Sequence, residues 1–151
     1  MYCLDASVVV NAFMADEEGY EYSRKLLEKI RSKNIQIVVP QIILPEISAA
    51  IARKKDDENL AISLVKAFVK IPDIKLIHID ENLAMFAAEI AAKYRTRGAD
   101  SLYIAVALTH KVTLITLDKE QKDRGNKILK VITPKEELST DKLYKELVVK
   151  E

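Results

Sequence analysis

The chain has 151 residues, 49% of them hydrophobic and 31% charged, and a formal net charge of +1. That length suits one domain burying roughly 70% of the surface its unfolded chain exposes, and the near-neutral charge excludes the strongly basic surface of a dedicated duplex binder, leaving a local patch for any nucleic acid. No apolar run is long enough to span a bilayer, the single cysteine, Cys3, excludes a disulfide within the chain, and the N-terminus lacks the basic start and cleavage site of a secretory signal; the expectation is a cytoplasmic protein with no membrane partner.

Residues 1–4 read as a short strand with Asp5 at its carboxyl end. Ser7 is a good N-cap, which predicts a helix over 8–14. Gly19 separates it from a helix over 20–32, where Tyr22, Leu26, Leu27 and Ile30 recur at helical spacing. Ile35, Ile37, Val38 and Val39 form a β-branched run, a buried strand ended by Pro40. A helix then runs to about Arg53, with Pro45 near its start, where a missing N–H costs little, and Glu46 next. Asp56, Asp57 and Glu58 open another helix, closed by Pro72. Ile74, Leu76, Ile77 and Ile79 make a strand, and 83–94 an alanine-rich helix. Gly98 is expected to end that helical pattern, because glycine takes the left-handed conformation easily. A new helix, with Asp100 in its first turn, runs to about His110; Leu102, Ile104, Ala105, Val106 and Leu108 make it apolar nearly all round, hence buried. A strand over 112–116, a short helix or turn over 119–125 and a last strand over 128–132 follow. Pro134 starts a charged tail with a terminal helix expected over 141–149, where Leu143, Tyr144, Leu147 and Val148 form an apolar stripe.

Short continuous apolar strands alternate with helices, the pattern of a parallel sheet covered on both faces. The expected organisation is one α/β domain over 1–133 followed by the tail, 134–151.

Ligand sites in open α/β sheets lie outside the carboxyl ends of the strands. Asp5 and Asp118 fall at such ends, Asp100 opens the helix leading into the second of those strands, and Glu46 lies in the helix after the strand ended by Pro40. Asp100 and Glu46 are each set in otherwise apolar sequence, an uncommon place for a surface acid. Plain structural readings stand beside these: helix-capping acids at Asp5 and Asp100, a turn residue at Asp118. Four carboxylates about 5 Å apart at an effective dielectric near 20 repel by roughly 3 kcal/mol a pair. Such a cluster requires raised pKa values, basic partners or a cation. Hard oxygen ligands select Mg²⁺ or Mn²⁺ over zinc, and with only His78 and His110 in the chain a histidine-based zinc site is not expected. Ser7, Thr116 and Asn11 are candidates to hydrogen-bond these carboxylates from behind. Arg97, Arg95 and Lys119 stand close to the acids in sequence and are candidates for substrate phosphate, although each taken singly reads first as solvated surface.

The order of these features resembles the PIN-domain family. It comprises Asp5-Ala6-Ser7 after the first strand, Pro45-Glu46 before a helix of small apolar residues, Gly98-Ala99-Asp100-Ser101-Leu102-Tyr103-Ile104-Ala105 opening a helix, and Thr116-Leu117-Asp118 after a strand. The resemblance covers about residues 1–132, and the single-domain size is similar to the VapC-type toxins of that family. It implies a three-layer fold, a five-stranded parallel sheet flanked by helices. It also implies a Mg²⁺- or Mn²⁺-dependent endoribonuclease that hydrolyses RNA phosphodiester bonds, with Asp5, Glu46, Asp100 and Asp118 as catalytic and metal-binding acids. Its partners would be an RNA substrate, a small antitoxin protein and a second copy of the chain in a homodimer. The apolar faces of the helices over 20–32 and 56–70 are candidate partner surfaces, or simply core. Two other readings stay open: a catalytically silent PIN module acting as an RNA-binding or scaffold protein, and a phosphoacceptor receiver domain, which also binds Mg²⁺ through acids at strand ends.

Overall fold

Five parallel strands, β1 (Tyr2–Leu4), β2 (Ile37–Pro40), β3 (Ile74–Ile77), β4 (Thr113–Ile115) and β5 (Val131–Ile132), pair in the order β3-β2-β1-β4-β5. The computed structural model describes residues 1–141 and residue 146. The helix expected over 141–149 therefore lies, apart from Asp141 and Glu146, outside the described residues, and so does its apolar stripe. A receiver domain has its strands in the order 2-1-3-4-5; the order here excludes that reading.

The chain runs outward from β1 through α1 (Ala6–Asn11) and α2 (Tyr20–Ser32) to β2, then through α3 (Ile43–Lys55) and α4 (Glu58–Val69) to the edge strand β3. It returns through α5 (Glu81–Tyr94) and α6 (Gly98–His110) to β4 on the far side of β1, and α7 (Lys119–Gly125) leads to β5. Right-handed crossovers place α1 to α4 on one face and α5 to α7 on the other. α6 packs across β1, β2 and β4, which is why Tyr103, Ile104, Ala105 and Ala107 are wholly buried and the helix is apolar nearly all round. Leu4, Val39, Ile47, Ile51, Leu114 and Ile115 fill the core from the other elements. Among the described residues no helix is long and apolar enough to cross a membrane.

Several boundaries differ from the sequence reading, each for a local reason. α1 begins before Ser7, because the cap is Asp5, whose side chain accepts the Ser7 N–H at 3.0 Å. Gly98 does not end α5. Arg95 does so, in the left-handed conformation with φ 59°, while Gly98 is the first residue of α6 with no positive φ. β5 is shorter than the apolar run suggests, since Ile128 and Leu129 both donate backbone N–H groups to the Gly125 carbonyl and so belong to a turn. Pro45 falls in the first turn of α3, where its missing N–H leaves no gap in the helical ladder, and the ladder resumes at Glu46 N–H to Ile42 O, 3.2 Å. Beyond β5, α8 (Pro134–Ser139) is capped by Thr133 in a reciprocal capping box with Glu136 and packs on α2 with Leu138 buried.

Candidate active site

The strand order reverses between β1 and β4, the place where an open α/β sheet opens a crevice at its carboxyl edge. Asp5 follows β1 and Thr116 follows β4, so the two loops meet at that reversal. The Asp5 N–H donates to Ile115 O at 3.0 Å, continuing the parallel pairing by one residue and setting Asp5 beside Thr116. A cavity of about 1090 Å³ opens there, lined by Asp5, Glu46, Asp100 and Asp118 together. Asp5 and Asp100 are buried, at 6% and 8% exposure, although both are acids.

Ser7 and Thr116 tie the first acid to the β4–α7 loop. Ser7 Oγ accepts the Leu117 N–H at 3.1 Å, Thr116 Oγ1 accepts the Asp118 N–H at 3.0 Å, and both side chains lie near enough to Asp5 to favour its charged form. Asp118 in turn caps α7 by accepting the Gln121 N–H at 2.9 Å. The plain capping readings of Asp5 and Asp118 are thus true of their local structure and compatible with their place in the cavity, since each carboxylate has two oxygens. Asp100 is different. It lies in the first turn of α6 without capping it; the cap position belongs to Arg97, which makes no side-chain capping bond. Arg97 instead donates from Nε to Asp100 Oδ2 at 3.0 Å and from its terminal nitrogen to Asp118.

Glu46 enters from α3, on the opposite wall. Its Oε1 accepts the Tyr103 hydroxyl at 2.6 Å. Asn11 lines the cavity with its Nδ2 donating to Glu18 O at 3.1 Å, while its Oδ1 is buried with no partner among the described residues.

Burial dominates the electrostatics. It raises the pKa of Asp5, against the opposing hydrogen bonds from Ser7 and Thr116, and the Asp118 charge raises it further. Burial also raises Glu46, opposed by the Tyr103 hydrogen bond and by Arg97, with the charges of Asp5 and Asp100 adding to the rise. Asp100 is raised by burial, held back by Arg97, and raised again by Asp5 and Asp118. Asp5, Glu46 and Asp100 are thus each raised by the charge of at least one other acid of the cavity.

Of the basic candidates, Arg97 and Lys119 line the cavity. Arg95 does not, since it terminates α5 with an exposed side chain. Arg53, Lys54 and Lys135 also line it, Lys54 paired with Glu17 at 2.7 Å and Lys135 lying 5.5 Å from the Tyr22 ring centroid. Two of the site's groups escape a reading of sequence alone. Lys135 lies in the tail, remote in sequence from the four acids of the cavity. Tyr103 reads as core by its apolar neighbours; the available signal is that a tyrosine, not a phenylalanine, sits one helical turn beyond Asp100.

The donor set is all hard oxygen and anionic, the chemistry that suits Mg²⁺ or Mn²⁺. Among the described residues, no three acidic, histidine or cysteine side chains stand close enough to hold one metal ion as they are placed. Arg97 is in contact with two of the acids. The donors thus fit a hard cation in kind, and closing them on one requires side-chain movements, including that of Arg97.

The PIN domain family model matches residues 2–127. Solved structures similar to this chain include VapBC2 from Rickettsia felis bound to a promoter DNA fragment, 19% identical with a TM-score of 0.65, covering 87% of this chain and 97% of that one. A toxin–antitoxin complex from Klebsiella pneumoniae is also 19% identical, with a TM-score of 0.64 over 89% and 98% of the two chains. VapC20 from Mycobacterium tuberculosis, a sarcin-ricin loop cleaving toxin, is 16% identical with a TM-score of 0.71 over 83% and 95%. At such identities the likeness establishes the fold. No curated protein matches the chain.

Proposed function

This chain belongs to the PIN-domain family, and from that premise we propose that it is a metal-dependent endoribonuclease, the toxin of a toxin–antitoxin pair. The observation that carries the reading is the meeting of Asp5, Glu46, Asp100 and Asp118 around one cavity at the carboxyl edge of the sheet. Burying Asp5 and Asp100 beside two further carboxylates destabilises the fold, and such a cost persists where the acids have work to do. Asp5 and Asp100, the two buried acids, are the residues to hold Mg²⁺ or Mn²⁺, with Asp118 and Glu46 completing the set. When bound, such an ion supplies an acidified water and neutralises charge on a phosphodiester. Ser7 and Thr116 orient Asp5. Lys119, Arg53 and Arg97, at the cavity wall, are placed to meet substrate phosphates. A small antitoxin and a second copy of the chain are the partners this reading expects; toxin–antitoxin assemblies among the similar structures support the first.

The test is cleavage of a structured RNA with Mg²⁺ or Mn²⁺ and with EDTA. Activity that survives EDTA, or survives in Asp100→Asn, refutes the metal mechanism. The silent-module reading draws on one observation, that Arg97 already neutralises two of the acids. Calorimetric titration with Mn²⁺ separates the two: heat of binding supports the nuclease, and its absence supports the silent module.

A further inference from the structure

Tyr103 is among the largest fully buried side chains, at 0% exposure, yet it carries a hydroxyl into the core. A buried phenol needs a hydrogen-bond partner, and a phenylalanine would fill the same space without that requirement. The bond it makes crosses the molecule. Tyr103 projects from α6, and its hydroxyl donates at 2.6 Å to Oε1 of Glu46 on α3. Those two helices lie on opposite faces of the sheet, so this contact joins the two walls of the acid cavity at its carboxyl edge.

The consequence falls on Glu46. A glutamate in the first turn of a helix has three rotatable torsions, and its neighbours Asp5 and Asp100 repel it. Left to itself, its carboxylate would swing towards solvent, away from the other acids. The ring of Tyr103 cannot move, because the core encloses it. Its hydroxyl therefore fixes one carboxylate oxygen of Glu46 and leaves Oε2 as the oxygen available to the cavity.

We propose that Tyr103 is the positioning residue for Glu46: the buried hydroxyl holds Oε1 so that Oε2 is presented to a divalent cation. This rests on the reading of the acid cluster as a cation site. Tyr103 itself does not touch the ion or the substrate. The choice of tyrosine at this position then follows from the site and not from packing.

A double-mutant cycle on Mn²⁺ binding tests it, with the full chain titrated calorimetrically as wild type, Tyr103→Phe, Glu46→Ala and the double variant, each also melted in EDTA. Removing the hydroxyl is expected to weaken Mn²⁺ binding by roughly tenfold, the usual scale for a group that orients a ligand. In the Glu46→Ala background the same change is expected to leave the affinity unaltered, because nothing is left to position. Should Tyr103→Phe be too unstable to titrate at room temperature, the same four proteins are titrated in the cold. Unaltered Mn²⁺ affinity in Tyr103→Phe, whatever its melting temperature, overturns the proposal, since the hydroxyl would then be structural only. An equal loss in both backgrounds also overturns it, because the hydroxyl would act by a route other than Glu46. Wild type that binds no Mn²⁺ overturns the cation-site reading itself and takes this proposal with it.

Discussion

Arg97 lies against Asp100 with Nε 3.0 Å from Oδ2, and the same guanidinium reaches Asp118. Among the described residues it is the cation paired with the acid cluster, and it is held from the exposed side, with 59% of its side chain open to solvent. A guanidinium and a divalent ion compete for the same carboxylate oxygens. Arg97→Gln should therefore bind Mn²⁺ more tightly than wild type in a calorimetric titration. In EDTA it should melt lower, because the buried Asp100 carboxylate loses its partner. A weaker Mn²⁺ affinity in this variant would show that Arg97 supports the ion instead of competing with it.

Asp5 and Asp100 pull activity and stability in opposite directions. If the proposed function holds, neutralising either removes a cation ligand and should lower RNA cleavage on the order of 100-fold or more. It also removes a buried, repelled charge. Asp100→Asn in EDTA is thus expected to melt no lower than wild type. Asp5→Asn keeps a side-chain oxygen to accept the Ser7 N–H and should behave likewise. Both melts are read by circular dichroism, and a loss of several degrees in either would show that the acid stabilises the fold.

The same burial sets a pH dependence. Asp5, Glu46 and Asp100 all have pKa values raised above the ordinary carboxylate range. Between the unfolded and folded values the native state binds more protons, so stability falls as pH rises through the folded value. In EDTA, the melting temperature should rise as pH is lowered from neutral towards the ordinary carboxylate range. Glu136 opposes this only at more acid pH, because Lys122 lowers its pKa and the stability it contributes is lost as pH falls below the ordinary glutamate value. The Asp5→Asn, Asp100→Asn double variant should show a blunted rise, and an equal rise in both proteins would place its source elsewhere.

Two glycines respond oppositely to alanine. A Cβ on Gly125 would stand 2.8 Å from Val131 Cγ2, a stiff branched side chain in the core of β5. Gly125→Ala should cost about 1–3 kcal/mol, and Val131→Ala should relieve part of it. Nothing lies within 4 Å of a Cβ on Gly98, and its φ is not positive. Gly98→Ala should be neutral or stabilise by up to about 1 kcal/mol. Urea midpoints of the two variants check both.

Glu137 anchors α8. Its Oε1 accepts both the Tyr2 hydroxyl and Lys29 Nζ, the latter at 3.5 Å, in a largely buried setting. Glu137→Ala leaves two polar groups without this partner and should cost about 1–3 kcal/mol, read as a shifted denaturation midpoint. RNA cleavage below that midpoint should be unchanged, since Glu137 does not line the cavity.

The sequence by itself determined the alternation of elements and the identity of the acids. Val38 and Val39 in β2 and Leu114 and Ile115 in β4 read as buried strands because continuous burial leaves a continuous apolar run. Asp100 and Glu46 stood out because an acid amid apolar neighbours is rarely surface. The tertiary structure alone decided where those acids meet. Periodicity reports how each segment is buried and carries no distance between segments, so the placing of β1 beside β4, which sets Asp5 next to Thr116 and Asp118, came from strand order and crossover hand. It also decided that Arg95 and not Gly98 takes the left-handed turn, that Arg97 spans Asp100 and Asp118, and that Tyr103 reaches Glu46. Each of these is a choice among partners that local composition leaves equal, and only packing in three dimensions makes one of them cheaper than the rest.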